Sequence, residues 1–434
     1  MRHSPRPRSK RTVALLLLSF LLNGCAIPVK YEVRSSSEQL PTGECTQDAV
    51  VISHYPRQVM LITLPLPELR LVTVVDGKPQ LTALVNPSTG KTVTGWSPLW
   101  SPDGRTIAFG HVDNPRGGRW KPALVRCNGS GLTVLDHEYG ILGAGGAWSS
   151  DGSKLFVSTA AGHSGSMAFG TAKPKDFKID IYNSQTRNLE RSIPIPEHAE
   201  NKLAPTVSPA GSRIAYADKS ERLYLLDVQS QKEKDITSGI CGLPGQGQNP
   251  TPLHALEWLN DSELSIAAGR SLVVYNCNED TGRTLFTAST DIVRLRYVGP
   301  RDMLLVGYAY EKGTDISQVA GPAAIGAANS AAQLQIAPAL AASTGMMVLS
   351  AGAAALIVLP MLISEARYQD TAFALVAMDG RVVHSFGVFR SRPECPSYIG
   401  NISCQGKYAT ISVYPQGVHL LDLENGRIYQ AVAY

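Results

Sequence analysis

The sequence lacks the short motifs by which several classes of enzyme are recognised. It contains no phosphate loop of the G-x-x-x-x-G-K-S/T or G-x-G-x-x-G type, no C-x-x-C pair among its seven cysteines, and no H-x-H or H-E-x-x-H pair among its nine histidines. The segment Gly162-His-Ser-Gly-Ser166 lacks the last glycine of a G-x-S-x-G nucleophile elbow. The sequence therefore predicts no catalytic residue, no cofactor and no metal ligand.

Net charge is also missing once the first eleven residues are set aside. The formal charge is +4, but five of the 40 basic residues lie within positions 1–11, which leaves 35 basic against 36 acidic residues. A nucleic-acid interface needs a clustered basic surface, so no nucleic-acid partner is expected. Charge is absent altogether from Ile316 to Ser364, a segment rich in alanine and glycine.

What the sequence does contain is a repeated unit, clearest at Pro98-Leu-Trp-Ser-Pro-Asp-Gly-Arg-Thr-Ile-Ala-Phe109. Ser-Pro-Asp-Gly suits a type I turn, because proline presets φ, serine bonds back to the backbone and glycine accepts a positive φ. The pattern predicts a strand that ends on Trp100 and a buried return strand at Thr106–Phe109. Degenerate copies follow at Trp148–Val157, Val207–Tyr216, Trp258–Ile266, Tyr297–Val306 and Ile402–Thr410.

A second recurring element is an apolar strand, a turn of small polar residues and another strand. It occurs at 81–90, 124–131, 179–186, 223–230, 272–279, 375–381 and 420–427. The two elements alternate with the roughly 40–50-residue period of four-stranded propeller blades. We therefore predict an all-β chain in which residues 48–434 form a β-propeller. Seven hairpins predict seven blades; six is the alternative, because the first unit has no clear turn-and-anchor signature.

The Trp-Ser-Pro-Asp-Gly turn followed by Ile-Ala-Phe resembles the WD40-like propeller repeats of the TolB type. The resemblance is close at Trp100–Phe109 and Trp148–Val157 and degenerate elsewhere within residues 49–434. It implies a fold only, since propellers carry many unrelated functions.

The N-terminus predicts export. A basic segment, Met1–Arg11, precedes an apolar run, Val13–Leu22, which is too short for a membrane-spanning helix and typical of a secretory signal peptide. Leu22-Asn-Gly-Cys25 then resembles the lipobox of bacterial lipoproteins. The resemblance implies that residues 1–24 are removed and that Cys25 carries the lipid. An ordinary signal peptide cleaved elsewhere is the alternative.

Lipidation at Cys25 would anchor the protein firmly, since each buried methylene contributes about 0.8 kcal/mol. Ala26 stands where inner-membrane lipoproteins of that family carry a retaining aspartate, so the resemblance implies the periplasmic side of the outer membrane. Residues 25–47 would then be the lipidated cysteine and a polar tether.

Six cysteines remain besides Cys25, an even number in an oxidising compartment, so disulfides are expected. Six thiols allow 15 connectivities, and spacing does not give the pairing. Cys395 and Cys404 should lie at opposite ends of roughly 20 Å of extended chain, whereas a bridge needs Cα atoms within about 7 Å. We therefore expect no bridge between these two; buried free thiols are the alternative for some of the six.

The uncharged segment is predicted to interrupt one blade as an apolar, helical insertion over residues 311–371. Met303–Tyr310 predicts the second strand of that blade and Ala372–Ala377 the third. Because these strands must pair, the insertion has to leave the sheet and return on the same side. A helix over Leu340–Ile363 would be about 36 Å long, enough to span a bilayer core.

Three interpretations of the insertion stay open. It is a helical hairpin with legs Ala320–Ile336 and Leu340–Ile363 that dips into the membrane, the same hairpin packed against a partner protein or another copy, or an uncharged segment packed on the propeller. For the first two, the predicted contact residues are large apolar side chains of the second leg: Met346, Met347, Leu349, Leu356, Ile357 and Leu359.

Blade topology places the long connections together. In an antiparallel four-stranded blade, the second–third connections and the blade-to-blade connections share one face. The insertion, Val112–Lys121, Gly162–Gly170 and the crossing Thr237–Pro252 all belong to it. Long glycine-rich loops on one face predict a working surface.

Two functional hypotheses follow. The first is a non-enzymatic, lipid-anchored periplasmic propeller that acts as a protein-interaction scaffold in a cell-envelope complex, with its insertion contacting the membrane or a partner. The alternative is a propeller hydrolase or lyase, or a ligand-binding sensor, that uses polar groups of the central channel. His111, His163 and His254 are candidates to line the channel or the working face.

Overall fold

The computed structural model of the chain describes residues 48–54, 66–112, 120–135, 147–161, 176–196, 205–218, 220–240, 252–310, 369–391, 397–413 and 416–432. Nearly all regular structure in these ranges is β-strand, accompanied by 3₁₀ turns at Thr237–Gly239 and Gly299–Arg301. No helix within them combines the length and the hydropathy needed to cross a bilayer.

The strands form seven antiparallel sheets in chain order, numbered here as blades 1 to 7. Blade 1 contains β1 (Val50–His54), β2 (Glu68–Val75) and β3 (Lys78–Ala83), and a short hairpin of β4 (Val85–Asn86) and β5 (Lys91–Thr92) follows it. Blade 2 contains β6 (Trp96–Trp100), β7 (Thr106–Val112), β8 (Trp120–Arg126) and β9 (Thr133–Val134). Blade 3 contains β10 (Ala147–Trp148), β11 (Lys154–Ala161), β12 (Asp176–Asn183) and β13 (Leu189–Pro194).

The remaining four blades are built in the same way. Blade 4 contains β14 (Thr206–Val207), β15 (Arg213–Ala217), β16 (Leu223–Asp227) and β17 (Glu233–Asp235). Blade 5 contains β18 (Leu253–Trp258), β19 (Glu263–Ala268), β20 (Ser271–Asn276) and β21 (Thr281–Thr287). Blade 6 contains β22 (Ile292–Val298), β23 (Met303–Tyr310), β24 (Gln369–Ala377) and β25 (Val382–Ser391). Blade 7 contains β26 (Tyr398–Ile402), β27 (Tyr408–Val413), β28 (Gly417–Asp422) and β29 (Arg427–Val432). The fold is thus the expected seven-bladed β-propeller.

The predicted Ser-Pro-Asp-Gly turn joins β6 to β7. The Gly104 N–H donates to the Ser101 carbonyl at 2.9 Å, and Gly104 has a φ of +68°. The Thr106 N–H donates to Ser101 Oγ at 2.9 Å, so the serine fixes the start of the return strand. The same serine-to-backbone bond recurs in three other blades, at Ser149, Ser208 and Ser403.

The hydrophobic core lies between neighbouring blades. At the interface of blades 5 and 6, the second, third and fourth strands of blade 5 pack against the first, second and third strands of blade 6. Leu272, Leu304 and Ala374 are fully buried there. Burying a large aliphatic side chain contributes about 1.5–3 kcal/mol, so these interfaces hold the ring together.

Blade 1 differs from the others because its described residues provide no inner strand. Its β1 and β2 pack against the first three strands of blade 2, as the second and third strands of other blades do. The start of β1 lies beside the start of β27, the second strand of blade 7, where Asp48 forms a 3.5 Å ion pair with Lys407. The strands β1 to β3 therefore occupy the second to fourth positions of a blade.

Blades 7 and 2 consequently meet at the axis. The Cys404 thiol, in the first turn of blade 7, lies 3.9 Å from the carbonyl oxygen of Ser101 in the first turn of blade 2. Further out, Val50 and Ile52 of β1 pack against apolar side chains of β27 to β29. In the described part of the chain, six inner strands thus stand inside seven sheets, which explains why the sequence allowed either blade count.

The hairpin predicted at 81–90 is wrong in position. Strands β2 and β3 pair from Arg70–Ala83 to Val75–Lys78, so the turn of blade 1 is Asp76-Gly77. Both turn residues have positive φ, +49° and +71°. The turn that follows Asn86 belongs to the separate β4–β5 hairpin, which lies outside the sheet of blade 1.

The insertion leaves and re-enters blade 6 as predicted. Strands β23 and β24 pair along their length, and Tyr310 lies opposite Asp370. Opposed Cα atoms in an antiparallel pair are about 4.5–5.5 Å apart, so the connection starts and ends at adjacent positions. Residues 311–368, with both predicted helical legs, lie outside the described residues.

Candidate functional site at the loop face

The two ends of the propeller are unlike. We call the end that carries the first–second and third–fourth turns the turn face, and the opposite end, with the second–third and blade-to-blade connections, the loop face. Between described strands, every turn-face connection is two to six residues long. The turn face therefore offers short, tightly bonded turns.

Polar side chains of the turn face serve the turns themselves. Asp151 accepts hydrogen bonds from Ser149 Oγ at 2.6 Å and from the Ser153 N–H at 2.9 Å. These bonds lower the pKa of Asp151 to about 2. Asp103 accepts the equivalent bonds in blade 2, and Asp261 accepts one from a backbone N–H of blade 4. These carboxylates hold turns, as their repeat position predicts.

The loop face is where the long connections begin and end. The four longest second–third connections lie there, at 55–67, 113–119, 162–175 and 311–368. Blade-to-blade connections lie on the same face, among them 135–146, 195–205, 236–252 and 392–397. Strand ends on a rigid ring thus present several long segments on one side, which is the usual arrangement of a binding surface.

The base of the insertion is held firmly in blade 6. Arg390 Nε and Nη2 lie 3.1 and 3.3 Å from the two carboxylate oxygens of Asp370, a two-point bond beside the point where the insertion returns. On the outgoing side, the Ala309 N–H donates to the Asp291 carbonyl at 2.8 Å, and Thr290 Oγ1 donates to the Ala309 carbonyl. Both strands are therefore fixed up to the last residue before the excursion.

The residues assigned from the sequence to lipid attachment and to membrane or partner contact lie outside the described residues: Cys25, Met346, Met347, Leu349, Leu356, Ile357 and Leu359. His163 lies outside them too. These assignments stay predictions.

The central channel carries an ion pair between the first strands of blades 5 and 6. Arg296 Nη1 lies 3.7 Å from Glu257 Oε1, and the two side chains are 34% and 19% exposed. Burial raises the pKa of Glu257, and the positive charge of Arg296 opposes that rise. Nearer the loop face, His254 Nε2 lies 4.0 Å from Asp291 Oδ2. Of the predicted channel histidines, His254 thus reaches this region.

Arg294, two residues before Arg296, has no carboxylate partner among the described residues. Its Nε donates to the Ser397 carbonyl at 3.0 Å, and its Nη1 donates to the Val293 carbonyl at 2.7 Å. Burial lowers the pKa of Arg294 below its ordinary value. Opposite it, a Cβ at Gly307 would lie 2.7 Å from Cε1 of Phe373 and 3.0 Å from the Cβ of Arg294, so the glycine makes room for both side chains.

Sequence reasoning missed Arg294 and Glu257. A signal was present in β22, Ile-Val-Arg-Leu-Arg-Tyr-Val, where two arginines alternate with apolar residues on an otherwise apolar first strand. The third candidate histidine, His111, lies at the junction of blades 1 and 2, with Nδ1 3.4 Å from the Thr94 carbonyl. Its ring belongs to that junction.

The cysteines of the described ranges are of two kinds. Cys277 and Cys404 carry free thiols, so the expectation of disulfides fails for these two and the predicted absence of a Cys395–Cys404 bridge is confirmed. Burial raises the pKa of Cys404 to about 11, which keeps its thiol protonated. Cys127 is not a free thiol, and its pairing falls outside the described residues.

Metal binding finds no support in the part of the chain that the structure describes. Its His, Cys, Asp and Glu side chains form no group of three or more that could hold a metal ion.

No family model and no curated protein matches the chain. Among solved structures it is similar to the β-propeller domain of Cps50 (Swd1) from Myceliophteria thermophila, at 12% identity over 78% of this chain and 88% of that chain with a TM-score of 0.44. It is also similar to TolB from Acinetobacter baumannii, at 13% identity over 73% and 58% with a TM-score of 0.39. An oligogalacturonate lyase in complex with manganese is similar at 12% identity over 92% and 86%, with a TM-score of 0.45.

Proposed function

We propose that this protein is a lipid-anchored periplasmic scaffold that binds a cell-envelope partner or the membrane surface through its loop face. The observation that supports this most directly is the pairing of Tyr310 with Asp370. Because of this pairing, the chain that carries the uncharged segment 316–364 leaves and re-enters a rigid sheet at adjacent positions. A scaffold needs such a fixed base for the segments that make contact.

The chemistry of the insertion favours an apolar surface as its target. Residues 316–364 carry no charge, and their second half contains the predicted contact residues Met346, Met347, Leu349, Leu356, Ile357 and Leu359. A single membrane crossing would put β23 and β24 on opposite sides of the bilayer, although they pair along their length. The insertion therefore contacts the membrane or a partner as a hairpin that returns to the propeller.

The proposed anchor is compatible with a free loop face. The start of β1 lies at the turn face, beside Lys407. A fully extended tether over residues 25–47 would reach about 75 Å, whereas an eight-residue strand spans roughly 27 Å. The lipid at Cys25 can therefore hold the propeller at the membrane with the loop face turned either toward the bilayer or away from it.

Fractionation of four proteins tests the proposal: the wild type, Cys25→Ala, a deletion of residues 316–364, and the double variant. The deletion leaves nine residues between Tyr310 and Gln369, ample to join two neighbouring positions. Cys25→Ala should move into the soluble periplasmic fraction, and the deletion should stay membrane-bound but lose its crosslinked envelope partner.

Each outcome bears on a different part of the proposal. Soluble wild-type protein would contradict the lipid anchor. An unchanged crosslinking pattern in the deletion would contradict a role for the insertion. Persistent membrane binding of Cys25→Ala that disappears in the double variant would assign the insertion to the membrane rather than to a protein.

A second candidate function, ligand binding in the central channel, is favoured by one specific observation. The first strand of blade 6 carries Arg294 and Arg296, of which only Arg296 has a carboxylate partner among the described residues.

A further inference from the structure

We propose that Arg294 forms a binding site for a single carboxylate group at the loop-face mouth of the central channel. The site is independent of the lipid anchor and of the insertion. It rests on the unused hydrogen-bond donors of Arg294, on their access to solvent, and on the balance of charge around them.

The guanidinium of Arg294 has hydrogen-bond donors that no described residue uses. An arginine carries five N–H groups and no acceptor. Two of them are used, one on Nε toward the Ser397 carbonyl and one on Nη1 toward the Val293 carbonyl. Within the described structure the other three, one on Nη1 and two on Nη2, have no protein acceptor. They lie along the Nη1–Nη2 edge, which can hold a carboxylate through two parallel hydrogen bonds.

The side chain of Arg294 is partly exposed. Its Nη2 makes no hydrogen bond to a described residue. Because β22 is the first strand of its blade, the solvent that reaches this side chain is that of the central channel. A solute entering from the loop face can therefore reach the guanidinium.

The guanidinium is also fixed in place. Its two carbonyl partners belong to adjacent blades, Val293 to blade 6 and Ser397 to the connection into blade 7. A donor edge held this way loses little conformational entropy when it binds an anion. Next to Ser397, Tyr398 is 55% exposed and offers an aromatic ring at the same mouth.

The balance of charge selects the ligand. Among the described residues of the inner strands, Glu257 pairs with Arg296, so its charge is not available to Arg294. Within the described residues Arg294 therefore has no carboxylate at ion-pair distance, and a partly buried charge without a counter-charge is unfavourable. A carboxylate supplies one negative charge and two oxygens in one plane. A dianionic phosphate would need a second free cation, which the described mouth does not provide.

The carboxylate could belong to a small molecule or to an acidic side chain of a bound protein. Propionate and the blocked peptide acetyl-Gly-Glu-Gly-amide each present one carboxylate and distinguish these sources. Inorganic phosphate serves as the competing anion. Chloride is adjusted to keep the ionic strength constant, so that general salt effects cancel.

The experiment measures the shift in unfolding temperature of the full-length protein as each probe is added. A ligand that binds only the folded state raises this temperature in a saturable way. Wild type should show a saturable shift with propionate or the peptide, and the more effective of the two identifies the source. Arg294→Gln should lose the shift, and Arg294→Lys, which keeps the charge but loses the two-donor edge, should need at least tenfold more ligand.

Arg283→Gln is the matched control, because Arg283 also donates to a backbone carbonyl, that of Met378, but lies on the outermost strand of blade 5. It should retain the full ligand-induced shift. Comparing shifts rather than absolute unfolding temperatures keeps the test valid if a variant is less stable. An unchanged shift in Arg294→Gln would overturn the site, and a stronger response to phosphate than to either carboxylate would overturn the choice of ligand.

Discussion

The two ends of blade 6 differ in how tightly the backbone is packed. At the turn face, Gly380 joins β24 to β25 with a φ of +85°, and a Cβ there would lie 2.2 Å from the Leu285 carbonyl oxygen of blade 5. At the loop face, the same sheet accommodates residues 311–368 between paired neighbours. At the turn face, the backbone of blade 6 packs directly against the backbone of blade 5. At the loop face, β23 and β24 complete their pairing before the chain leaves the sheet. The structure therefore constrains one face and leaves the other free to acquire function.

The largest expected loss of stability is at the turn-face end of blade 6. Gly380→Ala should destabilise the protein by about 3 kcal/mol or more, because a left-handed φ costs an L-residue roughly 1–2 kcal/mol and the backbone contact must also be relieved. Urea unfolding followed by circular dichroism measures the change.

The matched control for that prediction is Gly77→Ala. Gly77 also lies in a turn-face hairpin, with a φ of +71°, but a Cβ there meets nothing within 4 Å. Only the conformational part of the cost remains, about 1 kcal/mol. Equal losses in the two variants would mean that contact between blades does not distinguish the turn face.

Acid should weaken both interfaces of blade 7, because His54 lies on the side of β1 that packs against blade 7, whereas His419 packs against Phe389 of blade 6. His54 of β1 and His419 of β28 are each 8% exposed, and burial lowers the pKa of each to about 4. The unfolded chain binds these protons below about pH 6.5 and the folded chain only near pH 4, so stability falls as pH drops through that window. Each histidine should contribute a loss of about 2 kcal/mol between pH 7 and pH 5.

Single variants assign this pH dependence. His419→Phe keeps a ring against Phe389, whose centroid lies 5.0 Å from that of the histidine, and removes the titrating group. The variant should lose about half of the combined effect in unfolding curves measured from pH 7 to pH 5, and His54→Leu should lose the other half. A wild-type stability that stays flat over this range would contradict the burial of these two histidines in the interfaces of blade 7.

Deleting residues 316–364 tests the loop-face end of blade 6. If the insertion does not pack on the propeller, shortening the connection to nine residues should stabilise the fold by about 1.5 kcal/mol, since loop-closure entropy grows with loop length. The urea midpoint of the Cys25→Ala background, with and without the deletion, measures this. A loss of stability would instead favour the insertion packed on the propeller.

A smaller difference should appear among three tryptophans that end first strands. Trp148 Nε1 donates to the Leu99 carbonyl of the preceding blade at 3.3 Å, and Trp258 Nε1 donates to the Thr206 carbonyl at 3.2 Å. Trp100 Nε1 is buried and has no hydrogen-bond partner among the described residues, in line with the absence of a described inner strand in blade 1. Replacement by phenylalanine should therefore destabilise Trp148 and Trp258 variants by about 1 kcal/mol more than the Trp100 variant.

Circular dichroism, rather than tryptophan fluorescence, should follow these three unfolding curves, because each variant removes a fluorophore. The rings are similarly buried, at 6–8% exposure, so the loss of packing is matched. If Trp100→Phe proved the most destabilising of the three, the indole N–H of Trp100 would have an acceptor in the wild type. The description of blade 1 without an inner strand would then be wrong.

The fold was predictable because the turn chemistry repeats. Ser-Pro-Asp-Gly at 101–104 fixes where one strand ends and the next begins, and the alternation of such turns with polar hairpins gives the blades in order. The return of the chain after the insertion was also predictable, since apolar strands flank it on both sides. These inferences use short-range signals that the sequence states directly.

Blade 1 and the channel were harder to read, for physical reasons. The three-stranded blade is defined by what its strands pack against, and Asp76-Gly77 resembles many other turns. The role proposed for Arg294 depends on its hydrogen bond to the Ser397 carbonyl, about a hundred residues away in sequence, and on the lack of a described carboxylate beside it. These contacts form only when the propeller closes into a ring, so the sequence does not show them.

Site-specific photocrosslinking in intact cells tests the central claim most directly. Arg390 and Arg381 lie at the two ends of β25, with side chains 59% and 72% exposed, so a photoreactive residue at either position is similarly accessible. The account predicts that position 390, at the loop face, crosslinks to an envelope protein or to lipid, and that position 381, at the turn face, does not. Crosslinking from 381 alone would contradict the assignment of the loop face as the working surface.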